Sequence, residues 1–256
     1  MQQVIDPVKN RLITVEEYIK EYAKNSLDNL DYTAPLMICP HCLNNRMKLK
    51  ARSSINVSPY FVHPKNNEYC PSKILQEGIY LNCKITDPDV ENANKLKKHF
   101  REHWKYYFQK IRNMVPYLRK EEFTKIIDIS LRERIWEYKN VQSYHLPYLF
   151  VTLADFSIQH PNSYYKEDFC RSLHFRYWFQ SKLDNYKDLI NNINVLSLCR
   201  ASYKLTEKQT QPRQDQLQKI QSFEIINDLM EQDTDKVSIH IEKWIEKYFE
   251  IKNWQH

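Results

Sequence analysis

Apolar residues recur at helical spacing over much of this chain. From about Glu91, Leu96, Phe100, Trp104, Phe108 and Ile111 follow at three- and four-residue steps, with Lys97, Lys98, Arg101 and Lys105 between them. That is the pattern of an amphipathic helix with one buried face. Phe123, Ile127, Leu131, Ile135 and Tyr138 repeat it across 121–138. Further helices are predicted over 145–156, 167–182, 184–199, 215–231 and 235–252, the last with Ile241, Ile245, Tyr248 and Phe249 on one face. Near the start, Thr14 followed three residues later by Glu17 is a capping-box signature that opens a helix over 15–22. Between that helix and Glu91 the period changes. Leu36-Met37-Ile38 and Tyr60-Phe61-Val62 read as short β pieces, and Asn44-Asn45 supplies a turn without glycine, since asparagine tolerates the left-handed region.

The pattern predicts a mainly α protein. A lead-in helix and a small module of short β pieces fill 1–75, a helical body fills 76–205, and a polar linker with a C-terminal helix pair fills 206–256. The linker is Thr206-Glu207-Lys208-Gln209-Thr210-Gln211-Pro212-Arg213-Gln214, a run with the composition of loops. The single glycine, Gly78, supports the helical reading. Average usage would give about eighteen, and tight hairpins and phosphate-cradling loops draw on glycine for positive φ and close backbone approach. No Rossmann or P-loop fingerprint is present.

The formal net charge of +6 suits a nucleic-acid partner. No basic run leads into an apolar stretch at the N-terminus, so no signal peptide is expected. No apolar tract approaches membrane-spanning length. The reading is a cytoplasmic protein without a membrane partner.

Six cysteines occur, three of them clustered. Cys39-Pro40-His41-Cys42 is followed after twenty residues by His63 and after six more by Cys70. Zinc prefers a tetrahedron of thiolate and imidazole. A Cys-x2-Cys knuckle supplies two ligands, and a loop of roughly twenty residues returns the other two. Cys39, Cys42, His63 and Cys70 are the predicted ligands of one structural zinc. His41 lies inside the knuckle and points away, and Cys83 is a substitute ligand. A redox Cys-x2-Cys would open a helix inside a βαβ unit, and no such unit follows here. Cys170 and Cys199 read as small buried hydrophobes.

These residues carry a family resemblance. Ile5-Asp6-Pro7 through Leu12-Ile13-Thr14, then Ile38-Cys39-Pro40-His41-Cys42, then Tyr60-Phe61-Val62-His63 and Cys70 resemble the front end of CoiA-like competence proteins. The likeness covers the first 75 residues or so. It implies a zinc-binding region, and beyond it a nuclease domain needing an acidic residue and a Glu-x-Lys to hold Mg²⁺ and orient water. Matching positions would be Asp128 with Glu137-Tyr138-Lys139, and Glu91, His99 and His103 for a Glu and a His that the family carries on a helix. The chain departs from the family here. Residues 121–138 keep a helical period where strands would alternate, which reads as a nuclease core absent or degenerate.

The most basic stretch, Lys95 to Tyr107, mixes Lys95, Lys97, Lys98, Arg101 and Lys105 with aromatic residues. Such a run can neutralise phosphates and stack on bases, or can be the solvated face of a core helix. Arg171 to Phe179 reads as a core helix with snorkelling arginines. The leading expectation is a zinc-containing nucleic-acid-binding protein, on DNA in preference to RNA, in uptake, defence or mobile-element processing. The alternatives are a Mg²⁺-dependent nuclease using Glu91, Asp128, Glu137 and Lys139, and a non-catalytic subunit that docks a protein partner through the C-terminal helices.

Overall fold

A computed structural model describes residues 1–22, 34–40, 47–52, 54–63, 85, 87–162, 166–179, 190–193, 196–206, 209, 211–212, 216–227 and 237–254. The chain begins with an antiparallel hairpin, β1 (Gln3–Asp6) and β2 (Arg11–Thr14), with Val4 opposite Ile13. Asp6 makes the turn: its Oδ1 accepts the N–H groups of Val8 at 2.8 Å and Lys9 at 3.2 Å, and its Oδ2 accepts the Tyr22 hydroxyl at 2.7 Å. Helix α1 (Val15–Tyr22) starts at the predicted capping box. The Glu17 N–H donates to Thr14 Oγ1 at 3.2 Å, and the Thr14 N–H donates to Glu17 Oε2 at 2.7 Å. Thr14→Ala should therefore lower stability by about 1 kcal/mol, read as a shifted urea midpoint with an unchanged m-value.

Both predicted β pieces form. Ile38 pairs with Ile5 and Met37 with Met47, and β3 (Lys48–Lys50) pairs antiparallel with β4 (Tyr60–Val62). On the far side of β4, the Met1 amino group donates to Phe61 O at 3.0 Å and the Phe61 N–H donates to Met1 O at 2.8 Å. The first strand thus meets both outer strands of the ribbon. The module closes on itself around Val4, Ile13, Tyr18, Met37, Cys39 and Phe61.

The helical body follows. Asp89 Oδ1 accepts the Asn92 N–H at 2.9 Å and caps α2 (Val90–Glu102). The chain pauses at His103 and continues as α3 (Trp104–Met114), α4 (Lys120–Arg132) and α5 (Leu146–Val151). Their apolar faces meet around Phe100, whose ring lies 4.8 Å from Tyr107, 5.3 Å from Trp136 and 5.8 Å from Phe150. The predicted helix over 121–138 stops early, because Arg134 takes a left-handed φ of 56° and only a 3-10 turn follows.

The second half corrects the mainly α expectation. The fold is mixed α/β, with a three-stranded antiparallel sheet ordered β5 (His174–Phe179), β6 (Leu198–Tyr203), β7 (Leu217–Phe223). The helix expected over 167–182 is a short 3-10 turn and then β5. Of the helix expected over 184–199, residues 190–192 are helical and 198–199 belong to β6. The first helix of the expected C-terminal pair is replaced by β7 where residues are described. The polar run 206–214 joins two paired strands.

Every residue of β5 is buried. Phe175, Tyr177 and Phe179 enter the helical core, while Trp178 joins Cys199, Ala201, Tyr203 and Leu217 in a second cluster that Leu12 of β2 packs against. With both faces covered, the alternation that marks a strand disappears. Helix α6 (Ile239–Ile251) forms as predicted and docks on the body through Ile245 and Phe249. No helix among the described residues is long and apolar enough to cross a membrane.

Candidate functional site

The basic residues of α2 and of the first turn of α3 face two directions. Arg101 and Lys105 turn toward α6. The Arg101 guanidinium grips Glu246, with Nη1 donating at 3.2 Å, and lies 4.5 Å from the Phe249 ring centroid. Trp104 Nε1–H donates to the same carboxylate at 2.8 Å, and Lys105 pairs with Glu242 at 2.5 Å. Both cations pair with carboxylates of α6 and fasten it to the body, Arg101 from a position 19% exposed and Lys105 from one 36% exposed.

Lys95, Lys97 and Lys98 turn the other way. They line a cleft of about 600 Å³ with Asn94 of α2 and with Lys252, Asn253 and Trp254 after α6. The Trp254 indole N–H donates to Lys97 O at 3.3 Å, and its ring packs edge-on against Phe249 in the aromatic core at 5.4 Å. The lysines have nearby carboxylates: Lys95 with Glu91 at 2.6 Å, Lys98 with Glu102 at 4.0 Å, Lys252 with Asp128 at 2.7 Å. Lys95 and Lys98 are 71% and 60% exposed, against 19% for Arg101. Exposed pairs of this kind contribute at most about 1 kcal/mol, so a phosphate can displace them.

The four residues named for nuclease chemistry each have their own partner. Glu91 lies exposed in the first turn of α2 with Lys95. Asp128 on α4 accepts from Lys252 and from the Tyr248 hydroxyl at 2.9 Å. Glu137 is paired to Arg134, whose hydrogen bond, against a smaller effect of burial, holds its carboxyl below the usual range. Lys139 pairs with Asp87 at 3.3 Å. No hydrogen bond or ion pair joins any two of the four. Among the described residues no three of His, Cys, Asp or Glu converge as a metal cage.

Two of the four predicted zinc ligands are described; Cys42 and Cys70 lie outside the described residues, as do His41 and Cys83. Register places the two that are seen. Met47 pairs with Met37 on one side, and Lys48 pairs with Val62 on the other. Cys39, two residues beyond Met37, and His63, one beyond Val62, therefore leave the ribbon at the same end. Cys39 is fully buried at the start of the knuckle, and His63 is half-buried. A sulfur and an imidazole that leave the ribbon at one end are donor types that fit zinc. Cys42 and Cys70 would complete the tetrahedron, and the ion would tie together a sheet with few ladder bonds.

A buried polar cluster went unread in the sequence. Asp155 accepts the Arg176 Nε–H at 2.8 Å and faces His174 Nε2 at 3.2 Å, all three side chains being under 9% exposed. His174 and Arg176 lie two apart on β5, and only a strand puts such residues on one face. Cys199 is buried as predicted, and burial pushes its thiol up. Cys170 is half-buried, with its Sγ 3.5 Å from Arg119 Nη2. Lys252 and Trp254 were also missed as cleft residues, because nothing local ties them to α2.

Fold and cleft together define a mixed α/β protein with a small N-terminal β module and a lysine-lined groove on its helical body. No family model, no curated protein and no solved structure matches the chain.

Proposed function

We propose that the protein binds nucleic acid through the cleft between α2 and the C-terminal residues 252–254, and that the N-terminal module carries a structural zinc. The observation that supports this most is the convergence of Lys95, Lys97, Lys98 and Lys252 around one groove with two asparagine side chains and a tryptophan. Ammonium groups neutralise phosphates without reading bases, and the amides add hydrogen bonds to sugar and phosphate. The front-end likeness to CoiA-like proteins makes DNA the favoured partner, in uptake, defence or mobile-element processing. No contact among Glu91, Asp128, Glu137 and Lys139 speaks for cleavage. Trp244 and Ile251, seven residues apart on α6 and 44% and 69% exposed, support an accessory protein partner there.

Fluorescence anisotropy with single- and double-stranded DNA and RNA across a salt series tests the cleft. Lys97→Ala, Lys98→Ala and Lys252→Ala should each weaken binding across sequences and reduce the slope of log K against log salt by about 1. Arg101→Ala should leave that slope unchanged, because Glu246 already neutralises it. Absence of binding to any of the four nucleic acids at low salt would refute the reading.

A further inference from the structure

Residues 51–59 join β3 to β4 and carry two exposed aliphatic side chains: Ile55, at the middle of the loop, is 100% exposed and Val57 is 49% exposed. A lone exposed isoleucine calls for no explanation, but this one sits in a loop fixed by its own hydrogen bonds. Ser54 Oγ accepts the Asn56 N–H at 3.3 Å and the Val57 N–H at 3.1 Å, and the Ser54 N–H donates to Ala51 O at 3.3 Å. The legs of the hairpin are basic. Leu49 is buried in the core of the module, while Lys48 and Lys50 on either side of it are exposed. Val62 and Tyr60 lie directly opposite those lysines, so all four share the outer face of the ribbon. Neither lysine has an ion-pair partner among the described residues, unlike Lys95, Lys98 and Lys252 of the cleft. Along the sequence no acidic residue falls between Asp31 and Glu68, an interval that holds Arg46, Lys48, Lys50, Arg52 and Lys65.

We propose that this hairpin is a second nucleic-acid contact, specific for duplex, in which Lys48 and Lys50 neutralise phosphates and Ile55 wedges into a base step and partly unstacks it. The proposal rests on the binding of nucleic acid put forward for the cleft and adds a site with its own chemistry. Phosphate contacts hold a protein in place, and an apolar wedge then gains by leaving water for the gap between bases. Charge decides the occupant. Unpaired lysines in a stretch without carboxylates suit a polyanion. An anionic lipid surface offers the same sign of charge, but an isoleucine and a valine bury less than one myristoyl chain, which alone gives only marginal anchoring. A base step asks for no more than one branched side chain, which is what the middle of the loop presents.

Closed-circular plasmid is relaxed by a topoisomerase with the full-length protein bound, then stripped of protein and run on a gel. Wedge insertion untwists the duplex, so wild type should shift the linking number. Ile55→Ser should not shift it at equal occupancy, and should bind duplex about tenfold more weakly by anisotropy. Its slope of log K against log salt should stay as in wild type, because no charge is lost. Lys48→Ala and Lys50→Ala should each lower that slope by about 1. Ile239→Ser, at a site 70% exposed on α6, should behave as wild type. Unwinding by Ile55→Ser equal to that of wild type would overturn the proposal, as would wild-type binding to duplex that leaves the linking number unchanged. Retention on phosphatidylserine vesicles that Ile55→Ser abolishes, with no effect on the plasmid, would overturn it in favour of a lipid surface. The cleft is judged separately. Weakened binding in Lys97→Ala, Lys98→Ala and Lys252→Ala beside wild-type binding in all three hairpin variants would overturn the hairpin and leave the cleft. The reverse would remove the cleft alone, and no duplex binding by wild type would overturn the hairpin.

Discussion

Serine at Cys39, Cys42 or Cys70 should remove about one zinc per chain and unfold the N-terminal module, while the helical body stays folded. The magnitude separates this outcome from simple repacking. Apparent binding energies for structural zinc reach about 10–16 kcal/mol in small domains, whereas burying one serine hydroxyl in the place of the Cys39 sulfur costs about 1–3 kcal/mol. The module is held by short strands and one small apolar cluster, too little to survive the larger loss. The body has its own core around Phe100 and Trp136. Elemental analysis gives metal content, and hydrogen exchange locates the unfolding. His63→Ala should also release the ion, and His41→Ala should retain it. Wild-type protein isolated without chelator and lacking stoichiometric zinc would contradict the zinc assignment.

Asp155→Ala should destabilise the protein by about 3–5 kcal/mol, because it leaves the Arg176 guanidinium buried without its carboxylate. In a chain of this size that lowers Tm by roughly 6–20 °C. The same pair makes stability depend on acid. Burial alone would raise the Asp155 carboxyl, but hydrogen bonds from Arg176 and His174, with their charges, outweigh it and hold the group below its ordinary value. A carboxyl lowered on folding stabilises the native state above its unfolded pKa of about 3.9. That contribution is lost as pH falls through the lower folded value. Urea midpoints of wild type and Asp155→Asn should therefore differ most near neutrality and converge below about pH 4. Asp6, held low against its own burial by the Tyr22 hydroxyl and the Val8 and Lys9 N–H groups, acts in the same direction at the first turn. Equal gaps at pH 7 and pH 3 would show that the network is not what acid dissolves.

Elements with local signals were legible. Thr14 and Glu17 lie three residues apart, so their reciprocal bonds require nothing from the rest of the chain. Helices α2, α3 and α6 and most of α4 repeat an apolar face at helical period, and short β-rich runs marked Ile38 and Tyr60–Val62. The cysteine and histidine spacing suggested a module at the front, and register brings Cys39 and His63 to one end of it. The reading failed where tertiary packing rewrites the local pattern. In β7, Leu217 and Ile220 are three apart, a helical spacing, yet both reach the same cluster. An irregularity opposite Ser202/Tyr203 lets Tyr203 pair with Leu217 and Ser202 with Lys219, so one extra residue restores both side chains to one face.

The basic stretch shows the same division. Composition alone determined that α2 would be amphipathic and positively charged. Only the folded chain decided which charges are free to meet a ligand, because the partners of Arg101 and Lys105 come from α6, with Glu246 145 residues beyond Arg101. Lys252 and Trp254 join Lys95, Lys97 and Lys98 by the same docking. Helix periodicity and caps are set by hydrogen bonds and side chains within a turn or two, so they can be read along the chain. The pairing of β5, β6 and β7, the burial of Asp155 with Arg176 and the shape of the cleft depend on contacts between distant segments, whose free energy exists only once the core has closed.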